Sequence, residues 1–243
     1  TGNINAEFIE SKITGKTKAI LVVHLFGQPC AMEDIMDLAE IHNLYVVEDC
    51  AQAHLAEYRN RKVGSIGDIS CFSLLQGKHM TTGEGGITLT NDEKLARRAE
   101  LFSRRANLTS EREGIYYRTH PFIAPNYRMT ELQGAIGLAQ LKKLDSIVRR
   151  RIQIANKLTT LIKKVEGLSP LEVIEGVKHV YWLYPMELDI HKLGISNYEF
   201  ARALNAELGS PSTSPFSFCM PKEYFLVYSH PAFLERRGPY GLS

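Results

Sequence analysis

Short apolar runs alternate with charged and glycine-containing stretches through the first part of the chain. Residues 19–23 (Ala-Ile-Leu-Val-Val) are continuously apolar and rich in β-branched side chains, the pattern of a strand buried on both faces. Gly27 and Pro29 break that pattern. Met32, Ile35, Met36, Leu38 and Ala39 then recur at helical spacing, with Glu33, Asp34 and Asp37 between them, which predicts a helix over 32–42. Tyr45, Val46 and Val47 predict a second strand that ends at Glu48 and Asp49. Strand, helix and strand at this spacing form a βαβ unit with a right-handed crossover, hence a parallel sheet. Asp49 then falls at the carboxyl end of its strand, the edge where open α/β sheets bind ligands.

Residues 68–75 predict a further strand running into Gln76-Gly77-Lys78, so that Lys78 stands just past a strand end. Gly83-Glu84-Gly85-Gly86 reads as a tight turn, and 86–90 as the strand after it. Asn91-Asp92 caps a basic helix over about 93–105. Residues 112–126 lack periodicity and hold Pro121 and Pro125, which predicts a long functional loop. From Thr130, an N-cap residue, helical spacing returns with Leu132, Ile136, Ala139, Leu144 and Val148 and continues to about residue 165. So long a helix leads us to expect a bend or domain junction near Arg149-Arg150-Arg151. Beyond it, 180–188 predicts a strand and 197–208 a helix, while the Ser- and Pro-rich tail from Gly209 gives no assignment.

Composition narrows the function classes. With 29 basic against 27 acidic residues and a net charge of +2, nothing argues for nucleic acid or membrane as a partner. Cys30, Cys50, Cys71 and Cys219 form no C-x-x-C pair, so neither a zinc site nor a disulfide framework is indicated, and reduced cysteines in a cytoplasmic protein are expected. The longest apolar run, 19–26, is interrupted by His24 and is too short for a bilayer span. The chain opens on polar residues without an initiator methionine, which suggests a trimmed chain or a fragment.

Four polar residues stand near predicted strand ends: Asp49, Gln52, Ser73 and Lys78. Singly each has an ordinary reading: a solvated lysine, a capping aspartate, a serine bonded to backbone, a glutamine of no special meaning. Three of them together meet the needs of pyridoxal phosphate. That cofactor requires a lysine amine for its aldehyde, a carboxylate that keeps its pyridine nitrogen protonated, and hydroxyl and N–H donors for its phosphate. Lys78, Asp49 and Ser73 supply these groups from one edge of a parallel sheet.

Ordered blocks strengthen this reading. Val23-His24-Leu25-Phe26-Gly27-Gln28-Pro29, Val47-Glu48-Asp49-Cys50-Ala51-Gln52-Ala53-His54 and Gly64-Ser65-Ile66-Gly67-Asp68 come first. Cys71-Phe72-Ser73-Leu74-Leu75-Gln76-Gly77-Lys78, Thr81-Thr82-Gly83-Glu84-Gly85-Gly86, Thr90-Asn91-Asp92 and Asn126-Tyr127-Arg128-Met129-Thr130-Glu131-Leu132 follow. In this order and spacing they resemble the DegT/DnrJ/EryC1/StrS sugar aminotransferases, over residues 1 to about 168. Residues 224–241, with Pro231-Ala232-Phe233-Leu234-Glu235-Arg236-Arg237, look like the branch acting on keto-inositols and related cyclitols.

The resemblance implies the type I aminotransferase fold: a mostly parallel sheet with flanking helices over 1–148, and a smaller C-terminal α/β domain over 149–243. It implies that Lys78 forms the Schiff base with the cofactor, that Asp49 partners the pyridine nitrogen, that Gln52 lies against the ring and its hydroxyl, and that Ser73 binds the phosphate. Asn126, with Arg128 as the other candidate, matches the block that reaches the neighbouring subunit's cofactor, so a homodimer with shared sites is expected. The reaction implied is transfer of an amino group from glutamate or glutamine to a keto group of a nucleotide-linked sugar or a cyclitol. The family's glycine-threonine phosphate loop and ring-stacking residue lie upstream of the first strand, and this chain starts too late to hold them; poor binding of the cofactor by these 243 residues alone is expected. Leu75 departs from the histidine or tyrosine of some members.

Other readings fit less well. A P-loop is excluded because His79 replaces its Ser/Thr and Phe72 its first glycine. No G-x-G-x-x-G follows the first strand, which argues against a dinucleotide-binding oxidoreductase. The related sugar dehydratases replace the Schiff-base lysine by histidine, and Lys78 is a lysine. The non-enzyme alternative is a truncated, inactive member kept as a subunit or regulator.

Overall fold

The structure, a computed structural model, describes residues 1–112, 115–209, 219, 237–238 and 241–242. They fall into two compact units, Thr1–Lys164 with Pro170–Met186, and Val165–Ser169 with Glu187–Ser243. Among the described residues no helix is long and apolar enough to cross a membrane.

The first unit is built on the predicted βαβ frame. Strand β1 (Ala19–Val23) leads through helix α1 (Met32–Ile41) to β2 (Tyr45–Asp49). A short hairpin follows, β3 (Glu57–Tyr58) with β4 (Arg61–Lys62), and then β5 (Ile69–Ser73) and β6 (Gly86–Leu89). The main sheet has the order β1-β2-β5-β6; the first three strands are parallel and β6 runs antiparallel to β5. The three parallel strands therefore end at one edge.

Alternation along the strands separates two faces. Ile20, Val22 and Val46 point into a core that also takes Met32, Ile35 and Ala39 of α1. Each large aliphatic side chain buried in this way is worth about 1.5–3 kcal/mol. On the opposite face Leu21 and Tyr45 are each 59% exposed, so α1 covers only one side of the sheet. The register pairs Asp49 with Cys71, and Ser73 lies two residues beyond Cys71. Asp49 and Ser73 thus belong to the more open face.

Helix α2 (Glu93–Ser103) is capped by Asp92, whose Oδ1 accepts the Leu95 N–H at 2.8 Å. Next come β7 (Leu108–Arg112) and β8 (Ile115–Thr119), an antiparallel pair. The expected loop over 112–126 is thus strand in its first part, the end of β7 and all of β8. Helix α3 (Glu131–Ile162) opens with a reciprocal cap between Thr130 and Gln133. It runs unbroken through Arg149, Arg150 and Arg151, where a bend was expected. No proline lies within it, and Leu144, Val148 and Ala155 bury one continuous stripe, so nothing interrupts its hydrogen-bond ladder.

Strand β9 (Leu168–Pro170) leads to β10 (Val177–Lys178), which pairs with β3. The single strand expected over 180–188 is reduced to β11 (Met186–Leu188). Residues 180–182 instead leave the sheet pattern, because the Val180 and Trp182 N–H groups donate to the carbonyls of Gly27 and Phe26, at 3.0 and 2.7 Å, and Tyr181 turns left-handed at φ 49°.

In the second unit, α4 (Ile190–Leu193) stops at Gly194, whose φ of 66° suits glycine. Helix α5 (Asn197–Glu207), close to the expected 197–208, starts at a Ser196–Glu199 capping box. The Asn205 side chain binds the backbone N–H and C=O of Cys219. The block 224–241 that looked like the cyclitol branch lies almost wholly outside the described residues.

Candidate active site

Parallel strands bring four of the five sequence-predicted residues to one edge. Asp49 ends β2 and is half-buried; its Oδ1 accepts the Ala51 N–H at 2.9 Å, which turns the chain away from the sheet. Gln52 follows in that turn, buried, with Oε1 accepting the Phe26 N–H at 2.6 Å. This bond joins the turn after β2 to the turn after β1, where Phe26 is left-handed at φ 57°. Gly27 beside it has φ 94°, and a Cβ there would lie 2.8 Å from the Gln52 carbonyl oxygen.

Ser73 ends β5, its Oγ accepting the Leu75 N–H at 3.2 Å. The loop beyond it is tied down by the threonine-glycine turn: Leu74 N–H donates to Gly85, and Thr82 N–H and Thr81 Oγ1 donate to the Leu74 carbonyl. Lys78 N–H closes a turn onto the Leu75 carbonyl. Its Nζ sits 4.2 Å from the centroid of the Trp182 ring.

Asn126 is placed differently. It is exposed, accepts from Arg128 Nε at 2.9 Å, and pairs with Arg104 at the end of α2. Its partners Arg104 and Arg128 do not belong to the strand edge that carries Asp49 and Ser73.

Beneath this edge lies a buried network that sequence reasoning missed. Glu48 is fully buried and accepts from Gly64 N–H at 2.7 Å, Ile66 N–H at 2.8 Å and Gly67 N–H at 2.6 Å. His24 Nδ1 accepts the Cys30 N–H, so Nε2 carries the hydrogen and donates it to Glu48 Oε2 at 3.1 Å. Burial alone would raise the Glu48 carboxyl, but the His24 bond and the Gly64 and Gly67 N–H groups outweigh it and hold the pKa below the usual range. Cys50 lies within ligand distance of His24 and Glu48, yet their polar atoms are already bonded within the protein and burial keeps the thiol protonated. The cluster is a brace for the end of β2 rather than a metal cradle.

Two more histidines were missed. His54 is 4% exposed and His79 2%, with their rings 5.5 Å apart. His79 Nε2 donates to the Val180 carbonyl at 3.1 Å; its Nδ1 and both nitrogens of His54 have no hydrogen-bond partner among the described residues. Burial lowers His54 to about 4, partly opposed by the nearby Ser73 backbone and reinforced by the charge of Lys78. Burial lowers His79 to about 3, opposed by the Val180 carbonyl and reinforced by His54, Arg151 and Lys78. Both rings are neutral at pH 7. The signal available beforehand was His79 beside Lys78 and the chain's single tryptophan, Trp182.

An amine, a carboxylate, an amide and a hydroxyl on one strand edge form a donor set that fits an aldehyde-bearing, phosphorylated heterocycle. Comparison with known proteins agrees. Residues 1–223 match the DegT/DnrJ/EryC1/StrS aminotransferase family. The chain is 43% identical to a GDP-perosamine synthase of Escherichia coli O157:H7, over 75% of this chain and 48% of the relative. It is 36% identical to an L-glutamine:2-deoxy-scyllo-inosose aminotransferase of Streptoalloteichus tenebrarius, over 86% of this chain and 51% of the relative. The solved aminotransferase from Psychrobacter cryohalolentis superposes with a TM-score of 0.79 at 38% identity, covering 87% of this chain and 57% of that one. The chain spans about half the length of the curated relatives it matches. Its fold is the type I aminotransferase architecture, and the chain belongs to the DegT/DnrJ/EryC1/StrS aminotransferase family.

Proposed function

We propose that the protein is a pyridoxal-phosphate aminotransferase that moves an amino group from glutamate or glutamine to a keto group on a nucleotide-linked sugar or a cyclitol. The observation that carries this reading is the placement of the Lys78 loop, the Asp49 carboxylate and the Ser73 hydroxyl at one carboxyl edge of the parallel strands. The names of the relatives, one for a GDP-sugar and one for an inosose, support the substrate class.

When bound, pyridoxal phosphate supplies an aldehyde carbon and a ring that accepts electrons. Lys78 would supply the amine for that carbon and the base that holds or moves a proton beside it. Asp49, with the carboxylate oxygen not bonded to the Ala51 N–H, would keep the pyridine nitrogen protonated. Gln52, whose oxygen accepts the Phe26 N–H, would lie against the ring and its hydroxyl. Ser73 would donate its hydroxyl to the phosphate. Asn126, exposed at the end of α2, reaches the phosphate site of the neighbouring subunit in a cytoplasmic homodimer.

The test is reduction of the full-length, cofactor-loaded protein with borohydride, digestion, and mapping of the pyridoxyl adduct by mass spectrometry. The adduct is expected on Lys78, and glutamate or glutamine is expected to bleach the visible band before reduction. An adduct on another lysine overturns the assignment.

A further inference from the structure

Residues 180–182 cross over the Lys78 loop as a strap, fastened by most of their backbone polar groups and by the Trp182 indole N–H. Val180 N–H donates to the Gly27 carbonyl and Trp182 N–H to the Phe26 carbonyl, both in the turn after β1. Arg151 Nη1 of α3 donates to the carbonyls of Tyr181 and Trp182, at 3.2 and 3.1 Å. Two further bonds bracket the lysine in sequence. Trp182 Nε1 donates to the Gly77 carbonyl at 2.9 Å, one residue before it, and His79 Nε2 donates to the Val180 carbonyl at 3.1 Å, one residue after it. Between them the Lys78 Nζ lies over the indole face.

The strap and the turn it binds each hold a strained backbone position. Tyr181 at φ 49° and Phe26 at φ 57° are both left-handed non-glycine residues, and they face each other across the Trp182–Phe26 bond. Bulky residues adopt that conformation only where surrounding contacts impose it, and such positions cluster at functional sites. Tyr181 further stacks on His179 with ring centroids 3.8 Å apart.

From this we infer that Trp182 is a positioning residue for Lys78: its Nε1 fixes the backbone before the lysine and its ring face holds the amine in place until the cofactor aldehyde takes it. His79 anchors the strap from the buried side. An ammonium over an indole is attracted by the negative ring face, and a single misplaced reacting group lowers rates steeply. The inference rests on the reading of Lys78 as the imine-forming lysine.

The test uses the full-length protein stripped of cofactor. The emission of Trp182 is isolated as the difference between the wild-type and Trp182→Phe spectra, and Lys78→Met is expected to change it. The rate at which pyridoxal phosphate becomes trappable by borohydride on Lys78 is then measured. Trp182→Leu, which loses both ring and donor, is expected to slow trapping by at least about tenfold, and Trp182→Phe, which keeps a ring face, to recover part of the loss. Emission indifferent to Lys78→Met, or wild-type trapping in Trp182→Leu, overturns the positioning role alone. Trapping of the wild type on a different lysine overturns the reading of Lys78, and the inference with it.

Discussion

At the scale of single residues, His54 and His79 carry a consequence for stability. Both are buried and neutral, and the charge of Lys78 beside both and of Arg151 beside His79 disfavours further positive charge. In the unfolded chain they bind protons near pH 6.5; in the folded protein only near 4 and 3. Between these values the unfolded state holds more protons, so stability rises with pH. Their contribution is fully present above about pH 6.5 and is lost as the pH falls toward 4, at up to about 1.4 kcal/mol per pH unit for each ring. Unfolding midpoints in urea measured from pH 7 to pH 4 should fall steeply for the wild type and more shallowly for a His54→Gln/His79→Gln double variant. Equal slopes would show that these rings are not the groups that titrate.

Among the elements, the turn after β1 is a tight constraint beside the site. Gly27 has a left-handed φ of 94°, and a Cβ would meet both the Gln52 carbonyl oxygen and Val180 Cγ2 at 2.8 Å. Its N–H bonds His24, and its carbonyl accepts from Val180. Gly27→Ala is therefore expected to destabilise the protein by about 1–3 kcal/mol through backbone strain, with added cost from displacing Gln52 and the strap. Chemical denaturation checks the first effect, and slower cofactor loading checks the second. The substitution Gly83→Ala, at another left-handed glycine with open space around it, should show backbone strain without the loss of loading.

For the whole molecule, the proposed homodimer makes a distinct prediction. If Asn126 serves the partner's site while Lys78 serves its own, a Lys78→Ala protein mixed with an Asn126→Ala protein gives heterodimers in which both lesions can fall in one active site and leave the other intact. Activity should reappear after subunit exchange, approaching half of one site per dimer. Absence of recovery after verified exchange would count against sharing through Asn126. The sheet, covered on one side by α1, exposes apolar area at Leu21 and Tyr45 on the other.

Local pattern determined a good deal of this protein. The β-branched runs at 19–23 and 45–47, the helical spacing from Met32 and the caps at Asp92 and Thr130 each appear where the sequence puts them, because strand and helix periodicity and capping chemistry are properties of neighbouring residues. From the βαβ rule alone Asp49 could be set at a carboxyl edge, and spacing set Ser73 and Lys78 there with it. The strap over 180–182, the Glu48–His24 brace and the pairing of His54 with His79 were not legible. Each depends on partners far apart in sequence, such as Trp182 with Gly77 or Val180 with Gly27, and an apolar run such as 180–188 carries no mark that its backbone will bond to a turn instead of a strand. Which residues occupy the edge was therefore set by local sequence, and what holds the lysine in place there was decided only by the tertiary contacts, because hydrogen bonds between distant segments leave no periodic trace along the chain.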